Sequence, residues 1–353
     1  MAIQSTPSLS SACFLRLLTE QGPAVKSSKL SILLFSYLLF ICVWFLLWLT
    51  VGDGPWWLTV LNRVVPYLFL PVLLFLAWLL LKREYKLAVV LALPTLIFLL
   101  LYRPYLVPSY SSASHAPADL TVMTYNVLYS NLEYEAVSRN IRTYQPDLVA
   151  LQEVVPAMMD ALEIRLADDY PYSMHGTNGE YGVTAVFSRY PFFDTKVLDL
   201  GEDRRAVIVK AEVNDRTLVF AAVHLRAYGL QWVRPLTNVP HEIINRTNLQ
   251  NHQVELLLDE LLDEPGLAII GCDCNSKETS SSYRMLDRQF DSAAYRVGWQ
   301  IPGIELAGAK QDLNLNHIDF VWYRGELDPF AVYEIADTAG SDHHPVLALF
   351  ELQ

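Results

Sequence analysis

The chain has 353 residues, of which 52% are hydrophobic and only 18% are charged, and its formal net charge at pH 7 is −12. This composition is too apolar for an ordinary soluble protein, and the length leaves room for one large domain and a further segment. Cys13 and Cys42 lie far from the other two cysteines, which excludes a disulfide framework.

Three apolar runs predict a membrane region over residues 30–105. Residues 30–51 carry no charged residue and suffice for one helix across a bilayer, which takes about 20 apolar residues. This run is too long, and begins too late, for a cleaved signal peptide. Residues 64–81 and the shorter run 87–102, both interrupted by proline, predict two more spans. No ionisable residue interrupts the runs, which favours an anchor over a transport path.

Basic residues set the expected orientation of these spans. They precede the first span and fill the connection between the second and the third. They are Arg16, Lys26, Lys29, Lys82, Arg83 and Lys86. The positive-inside rule therefore predicts a cytoplasmic N-terminal segment, residues 1–29. With three spans, everything after residue 105 lies on the extracytoplasmic side, and a re-entrant third run would reverse this.

A linker and a change of charge follow the apolar runs. Residues 106–118 are small, polar and proline-flanked, as linkers are. The first 118 residues hold 8 basic and 3 acidic side chains, which leaves 18 basic and 35 acidic ones, a net of about −17, for the rest. Such a surface is a poor general binder of nucleic acid, because that binding needs Lys and Arg. A metal-dependent enzyme acting on phosphates is still allowed, since a metal brings local positive charge.

Residues 119–353 predict one α/β domain in which mixed sheets carry helices on the outside. The predicted strands are residues 120–125, 148–151, 184–187, 206–213, 218–224, 267–271, 318–322 and 346–352. The predicted helices are residues 133–144, 156–167 and 245–262.

Polar side chains stand at the ends of these strands. They are Asn126, Glu153, His224, Asp273, Asn275, Asp319, Asp342 and His343. Each alone is explained equally well by a turn or a helix cap, but together they predict one site. Asp273 and Asn275 are two residues apart, so both point to the same face. The hard oxygen ligands among these side chains suit Mg²⁺.

The motifs that carry these residues resemble those of the endonuclease/exonuclease/phosphatase superfamily. In chain order they are TYNV, LQE, GVTAVFSRYPF, VHL, GCDCNS, HIDFV and SDHHP. The resemblance covers essentially residues 119–352. It implies a four-layer α/β sandwich of two mixed β-sheets flanked by helices, here preceded by a three-helix transmembrane region. It also implies Mg²⁺-dependent cleavage of a phosphoester, with Mn²⁺ as an alternative metal.

The resemblance also implies a role for each site residue. The implied metal ligands are Glu153, Asn126 and Asp342. Asp319 would orient His343, and Asp273 would activate or position the attacking water. Asn275 and His224 would hold phosphate oxygens. Either Asp273 or His343 is the base, because clustered carboxylates raise one another's pKa and allow both assignments.

One motif departs from the family pattern, because its usual Gly-Asp-Phe-Asn is replaced by Cys272-Asp273-Cys274-Asn275. We expect two free thiols here, since a disulfide between residues two apart on one strand face would be strained. A zinc thiolate site is not expected, because a second pair of ligands is missing.

The substrate is less well specified by the sequence. Residues 226–241 form a long insert that serves either as a lid over the site or as a connecting loop. The acidic surface and the anchor favour a small phosphodiester, or a lipid headgroup as in sphingomyelinases, over a long duplex. A membrane-tethered nuclease is the alternative, and a catalytically inactive binding module is a third reading. The expected partners are the phosphoester substrate and the lipid bilayer, and no obligate protein partner is expected.

Overall fold

The computed structural model describes residues 28–106, 118–177, 182–229, 233–297 and 317–353. The predicted N-terminal segment, residues 1–29, and the predicted linker, residues 106–118, lie outside this part except at their ends. The described chain forms two packed parts. One is a group of helices over residues 28–106, here called the helical region, and the other is a β-sandwich over residues 118–353.

The helical region contains six described helices around a small apolar core. They are α1 (Ser28–Thr50), α2 (Trp56–Arg63), α3 (Val65–Leu68), α4 (Leu70–Leu81), α5 (Tyr85–Val90) and α6 (Ala92–Leu106). In that core the rings of Trp44 and Phe69 meet edge to face, with centroids 6.1 Å apart. The Trp44 indole also donates a 3.0 Å hydrogen bond to Asn62 Oδ1, so α1 is held to the end of α2 by polar as well as apolar contacts.

The expectation of three membrane spans is wrong in number. Within the described residues, one helix, Lys29–Thr50, is long and apolar enough to cross a membrane. A second span exists only if the helix pair Trp56–Arg63 and Val65–Leu81 counts as one, and this pair is bent by 70°. The third expected span is a shorter apolar helix, Ala92–Tyr102.

Prolines mark the starts of the two helices within the second apolar run. Pro66 lies in the first turn of α3, and Pro71 lies in the first turn of α4. Proline is tolerated in a first turn because its missing N–H has no partner to lose there, whereas it breaks a helix interior. The run therefore starts a new helix at each proline.

The sandwich has twelve described strands in two sheets. They are β1 (Leu120–Asn126), β2 (Leu148–Val154), β3 (Tyr172–Thr177), β4 (Val183–Ser188), β5 (Phe192–Gly201), β6 (Arg204–Val213), β7 (Arg216–His224), β8 (Leu267–Asp273), β9 (Asp291–Ser292), β10 (Asp319–Arg324), β11 (Leu327–Glu334) and β12 (Val346–Leu352). The strand orders are β11-β12-β1-β2-β4-β3 in the first sheet and β5-β6-β7-β8-β10-β9 in the second. Both sheets are mixed, because β1 pairs with β2 and β7 with β8 in parallel while the other pairs are antiparallel. The prediction of two mixed sheets is confirmed.

Helices cover the outer faces of both sheets. The described helices of the sandwich are α7 (Tyr134–Tyr144), α8 (Pro156–Leu166), α9 (Val239–Leu262), α10 (Ser281–Leu286) and α11 (Ala293–Val297). One core, which includes Val122 and Phe220, fills the space between the sheets. A second, with Val137 and Leu162, joins α7 and α8 to the first sheet, and a third, with Leu257, joins α9 and α10 to the second. The layers run helix, sheet, sheet, helix.

Gly271 brings the two sheets close together just before the residues of interest. A Cβ atom at this position would lie 2.6 Å from the Cβ atom of Ala150 in the facing sheet, well inside van der Waals contact. Only a residue without a side chain fits here. The end of β8 is thus held against β2 of the other sheet.

Four described strands, β3, β5, β9 and β11, are not predicted by the sequence pattern. Strands β3 and β5 lie at sheet edges and are largely exposed, so they lack the apolar run that marks a buried strand. Helix α9 begins at Val239, with Pro240 in its first turn, rather than at residue 245. The insert after β7 is therefore shorter than expected.

Candidate active site

Three neighbouring strands of the second sheet place three polar side chains in one row. In the register of the sheet, Asp273 at the end of β8 pairs with His224 at the end of β7 and with Asp319 at the start of β10. Side chains at directly paired positions point to the same face. The sequence places each at a strand end, and the strand order makes them neighbours.

The first sheet adds two more polar residues, at the ends of β1 and β2. Glu153 lies in a β-bulge between Leu151 and Val154, where its φ of 59° is in the left-handed region. The bulge turns this side chain out of the alternation of the strand. Its Oε2 accepts a 3.1 Å hydrogen bond from the Tyr129 N–H. Asn126 ends β1 and donates from Nδ2 to Asp273 Oδ2 over 2.9 Å.

The segment before β12 brings His343 to the same place. Ser341 links this segment to β1, since its hydroxyl donates to the Asn126 carbonyl (2.7 Å) and accepts from the His343 N–H (3.1 Å). His343 Nδ1 lies 2.7 Å from Asp319 Oδ2, and its Nε2 lies 4.0 Å from Asp273 Oδ2. The predicted His343–Asp319 pair is thus formed, with the other ring nitrogen facing Asp273.

His224 lies on the opposite side of Asp273. Its Nε2 is 3.4 Å from Asp273 Oδ2 and 3.7 Å from Glu153 Oε1. The imidazole is 1% exposed, and burial lowers its pKa well below the usual value, assisted by the positive charges of Arg204, His343 and Arg226. His224 is therefore a neutral imidazole, in which one ring nitrogen donates a hydrogen bond and the other accepts one.

Opposing charges set the pKa values of the two central groups. Burial raises the pKa of Asp273 to about 7, and the carboxylates of Asp319 and Glu153 act in the same direction. Burial lowers the pKa of His343, but the carboxylates of Asp319 and Asp273 outweigh it and raise the value to about 10. At neutral pH His343 is protonated, while Asp273 can take up or release a proton.

The donor atoms fit a hard divalent cation. Glu153, His224 and Asp273 each offer one ligand atom, and the three atoms lie within 4.8 Å of one another. Asp273, Asp319 and His343 form a second such group. Asp319 Oδ1 is buried and has no hydrogen-bond partner within the described ranges. Buried carboxylates this close repel one another, and a cation bound among them would remove that repulsion.

Asn275 and Asp342 lie beside this cluster, and the neighbouring His344 faces away from it. The Asn275 N–H donates to Asp273 Oδ1 over 3.1 Å, and its Nδ2 donates to the Leu225 carbonyl over 3.1 Å. Asp342 is exposed and belongs to neither group of ligand atoms, although its charge raises the pKa of His343. His344 Nδ1 contacts the Ile335 carbonyl at 2.9 Å, away from the cluster, as its position beside His343 predicts.

Cys272 and Cys274 form a disulfide around Asp273, and the expectation of two free thiols is wrong. Their Cα atoms are 5.2 Å apart, which lies within the range that a disulfide can bridge. Both residues are fully buried beneath α9 and α10. The cross-link ties together the two backbone positions on either side of Asp273.

The insert after His224 is described in part, since Trp232 lies outside the described residues. Tyr228 is buried, and its hydroxyl forms a 2.7 Å hydrogen bond with Thr247 Oγ1 on α9. Arg246 on the same helix donates to the Tyr228 carbonyl. The start of the insert is therefore packed against α9 beside the site.

Two positions that serve the site were not singled out in the sequence. Ser341 lies inside the SDHHP motif, so a closer look at its hydroxyl would have suggested a structural role. Arg63 of α2 donates from Nη2 to the Asn275 carbonyl over 3.1 Å. No local pattern points to Arg63, because 212 residues separate the two partners.

Known proteins match the sandwich and not the whole chain. The Endonuclease/Exonuclease/phosphatase family profile matches residues 123–343. No curated protein matches significantly. Among solved structures, the endonuclease/exonuclease/phosphatase from Beutenbergia cavernae is 20% identical with a TM-score of 0.53, covering 66% of this chain and 71% of that one. A functionally unknown conserved protein from Enterococcus faecalis is 14% identical with a TM-score of 0.53, covering 66% of this chain and 100% of that one.

A third similar solved structure contains a bound ligand. D. rerio TDP2 complexed with single-strand DNA product is 17% identical with a TM-score of 0.51, covering 66% of this chain and 98% of that one. At this identity the likeness shows the fold alone. The three structures agree with the layered sandwich described above.

Proposed function

The chain belongs to the endonuclease/exonuclease/phosphatase family, and we propose that it is a membrane-anchored, Mg²⁺-dependent phosphodiesterase. The observation that carries the proposal is the arrangement around Asp273. His343, held by Asp319, faces this carboxylate from one side, and His224 and Glu153 face it from the other. A buried carboxylate whose pKa is raised to about 7 beside two imidazoles is typical of catalytic acid–base groups.

Glu153 and Asn126 would hold the cation at the edge of the first sheet, close to Asp273. Mg²⁺ commonly takes one or two carboxylates and otherwise binds water and phosphate oxygens. A bound cation would supply positive charge that polarises a phosphoryl oxygen. Asp342 remains a predicted ligand, and its exposed carboxylate also adds negative charge near His343.

The protonation states favour Asp273 over His343 as the base. His343 is an imidazolium at neutral pH, so its Nε2 N–H suits a phosphate oxygen or a leaving oxygen that gains negative charge. Asp273 accepts a hydrogen bond from Asn126 and can take a proton from a water molecule. Asn275 and the neutral His224 would hold the remaining phosphate oxygens.

The substrate that fits best is a small phosphodiester or a lipid headgroup. The sandwich and the linker before it carry a net charge of about −17, which opposes binding of a long polyanion. The family fold also holds DNA, since one solved structure of D. rerio TDP2 contains a single-strand DNA product. A nuclease acting on short or single-stranded nucleic acid is therefore the second candidate.

We propose that α1 anchors the protein in a membrane and is retained in the mature chain. The faces of α1 carry exposed apolar side chains such as Ile32 (65%) and Leu39 (64%), which suit lipid contact. The end of α1 contacts the sandwich, because the Trp48 indole donates to the Thr279 carbonyl over 2.8 Å. One span with a cytoplasmic N-terminus leaves the sandwich on the extracytoplasmic side, as three spans would.

Hydrolysis of bis(p-nitrophenyl) phosphate by the purified full chain in detergent tests the proposal. We expect turnover with Mg²⁺ or Mn²⁺ and none after chelation. Asp273→Asn and His343→Ala should each reduce kcat by about 10²–10⁴. His344→Gln is the matched control, because this neighbouring imidazole points to a backbone carbonyl, and it should retain activity. Metal-independent turnover, or full activity in Asp273→Asn, would contradict the proposal.

Two further assays address the substrate and the membrane. Plasmid DNA, single-stranded DNA, sphingomyelin, phosphoinositides and small nucleotides should be compared side by side at equal phosphodiester concentration. Preferred cleavage of the nucleic acids would replace the favoured substrate class by the second candidate. Protease accessibility of the sandwich in sealed vesicles would then give the side of the membrane, and protection from external protease in right-side-out vesicles would refute the extracytoplasmic assignment.

A further inference from the structure

Arg63, the last residue of α2, joins the helical region to the edge of the candidate active site. Its Nη2 donates to the Asn275 carbonyl over 3.1 Å, and its guanidinium lies over the ring of Tyr228, 4.0 Å from the centroid. We infer that Arg63 is a positioning residue that holds the phosphate-binding Asn275 and the insert after β7 in their working arrangement. This inference rests on the proposed function only where it predicts a change in KM; the contacts of Arg63 do not depend on it.

The surroundings of Arg63 argue against an ordinary surface arginine at a helix end. Its Nη1 atom is buried and has no hydrogen-bond partner within the described residues. Among the described residues, its guanidinium forms no ion pair within 4.0 Å, although the more distant Asp53 carboxylate acts to raise its pKa against the lowering effect of burial. A charged group is rarely buried without such a pair. The contacts that hold it are a backbone carbonyl and an aromatic face, which a planar guanidinium can engage at once.

Asn275 needs support from outside its own strand. Its φ of 46° lies in the left-handed region, which Asn tolerates better than most residues with a side chain but which ends the extended path of the strand. Its carbonyl accepts hydrogen bonds from Arg63 and, over 3.2 Å, from Gln250 on α9. Its side chain donates to the Leu225 carbonyl, one residue after His224. Arg63 thus stabilises the backbone from which the Asn275 side chain, and Asp273 two residues before it, would reach the substrate.

Tyr228 extends the same support to the insert. The Arg63 guanidinium covers one face of its ring, and its hydroxyl is bonded to Thr247 on α9. Gln250 also donates to the Arg226 carbonyl over 2.5 Å, so one side chain links the insert with Asn275. Loss of Arg63 should make the backbone around Asn275 and the start of the insert more mobile together. The pairing of His343 with Asp319 should stay intact.

The rest of the contact between the two parts provides a matched control. Arg284 on α10 donates to the Trp48 carbonyl over 3.1 Å and lies 5.0 Å from the centroid of the Trp48 ring. It resembles Arg63 in chemistry, since it bonds one carbonyl and covers one ring across the same contact. Neither of its partners belongs to the site or the insert. Arg284→Met therefore removes a docking contact without removing support from Asn275.

The test compares wild type, Arg63→Met, Arg63→Lys and Arg284→Met as full chains in detergent with Mg²⁺ and bis(p-nitrophenyl) phosphate. Arg63→Met should raise KM about tenfold, as expected for loss of a charge-assisted hydrogen bond, and change kcat by less than about threefold. Arg63→Lys should recover part of the difference, because it keeps the charge and one donor. Arg284→Met should leave KM unchanged.

A second readout needs no turnover. Backbone hydrogen exchange of residues 225–228 and 274–277 should be faster in Arg63→Met than in wild type, and unchanged there in Arg284→Met. If wild type hydrolyses no phosphodiester, the proposed function fails and the exchange data alone decide the inference. Unchanged exchange, an unchanged KM in a folded Arg63→Met, or an equal rise of KM in Arg284→Met overturns it. If Arg63→Met does not fold, Arg63→Lys decides by the same two readouts.

Discussion

The helical region and the sandwich handle apolar side chains in opposite ways. Among the described residues, 38 large apolar side chains are exposed, and 27 of them lie between residues 32 and 100. The sandwich hides its apolar residues in three cores between its layers, whereas the helical region has one small core and leaves its outer faces apolar. Under the proposed membrane anchoring, these outer faces are the surface that would contact lipid.

The contact between the two parts is polar, unlike the outer faces of the helices. Asp53, in the loop after α1, accepts a 2.6 Å hydrogen bond from Ser281 N–H and another of 2.6 Å from Asn62 Nδ2. Thr279 Oγ1 donates to the Asn62 carbonyl over 2.6 Å. Directional hydrogen bonds fix orientation better than apolar contact does. The helical region is therefore placed at a defined angle beside the candidate site.

The chemistry should depend on the sandwich, and the largest expected effect lies there. Asp319→Asn removes the charge that keeps His343 protonated and oriented. We expect kcat for bis(p-nitrophenyl) phosphate to fall by about 10²–10⁴, with the unfolding temperature nearly unchanged. Asp328→Asn on β11, whose carboxylate lies 3.7 Å from an exposed arginine, is the control. Equal activity in the two variants would show that the His343–Asp319 pair is not needed for catalysis.

The same change, Leu→Ala, made once in the sandwich and once in the helical region tests how differently the two parts bury their apolar side chains. Leu257 on α9 is fully buried, so Leu257→Ala should lower the free energy of unfolding by about 2–5 kcal/mol. Leu39 on α1 is 64% exposed, and Leu39→Ala should change the free energy of unfolding by less than about 0.5 kcal/mol. Chemical denaturation of the full chain in detergent measures both. Similar losses would mean that the α1 face is packed against protein instead of lipid.

The contact between the parts can be broken at Asp53, which is 6% exposed. Asp53→Ala leaves the Ser281 N–H without its acceptor, and the Asn62 amide keeps only its longer 3.4 Å bond to the Gly52 carbonyl. Two lost hydrogen bonds to a charged group should cost about 3 kcal/mol. Differential scanning calorimetry should then show separate transitions of the two parts in place of one. Glu84→Ala, at a helical-region carboxylate that bonds no described residue of the sandwich, should keep the wild-type profile.

The smallest expected effect depends on pH and on a buried ion pair of the sandwich. His317 Nε2 lies 3.0 Å from Glu334 Oε1. Burial lowers the pKa of His317 and raises that of Glu334, but the pair outweighs burial in both, so the pKa of His317 is raised and that of Glu334 is lowered. Stability from Glu334 is lost as the pH falls through its lowered pKa, and stability from His317 is lost as the pH rises through its raised pKa.

Glu334→Gln should therefore cost most where both groups are charged. Near pH 6 we expect a loss of about 1.5 kcal/mol in the free energy of unfolding, and a smaller loss at an alkaline pH above the raised pKa of His317, where this imidazole is neutral. Urea unfolding at the two pH values measures the difference. Glu326→Gln removes an exposed pair with Arg216 and should have almost no effect at either pH. A pH-independent loss would show that the carboxylate acts by packing alone.

Local patterns in the sequence predicted the strands that carry the site. Asn126, His224, Asp273 and Asp319 each end or begin a strand, and regular pairing then brings them together. The bulge that turns Glu153 toward the site was not visible, because no residue type marks it. The edge strand β5 was missed since its exposed residues leave no apolar run.

Local sequence patterns could not predict features that depend on residues far apart in the chain. The 70° bend lies at the start of the second apolar run, between Arg63 and Val65, and it was not predicted, because proline near a helix end is also compatible with a membrane span. The Cys272–Cys274 disulfide depends on a Cα separation that an ideal strand would not give. The contacts of Asp53 and Arg63 join residues more than two hundred positions apart, and nothing local in the sequence records them.

Metal-dependent hydrolysis in a Glu153 variant tests the central claim most directly. The initial rate with bis(p-nitrophenyl) phosphate should be measured against Mg²⁺ concentration for wild type, Glu153→Gln and Glu163→Gln, whose carboxylate on α8 contacts only Ser173 among the described residues. We predict that Glu153→Gln raises the half-saturating Mg²⁺ concentration at least about tenfold, as loss of one charged ligand should. Glu163→Gln should follow the wild-type curve. Identical Mg²⁺ curves for wild type and Glu153→Gln would contradict the account.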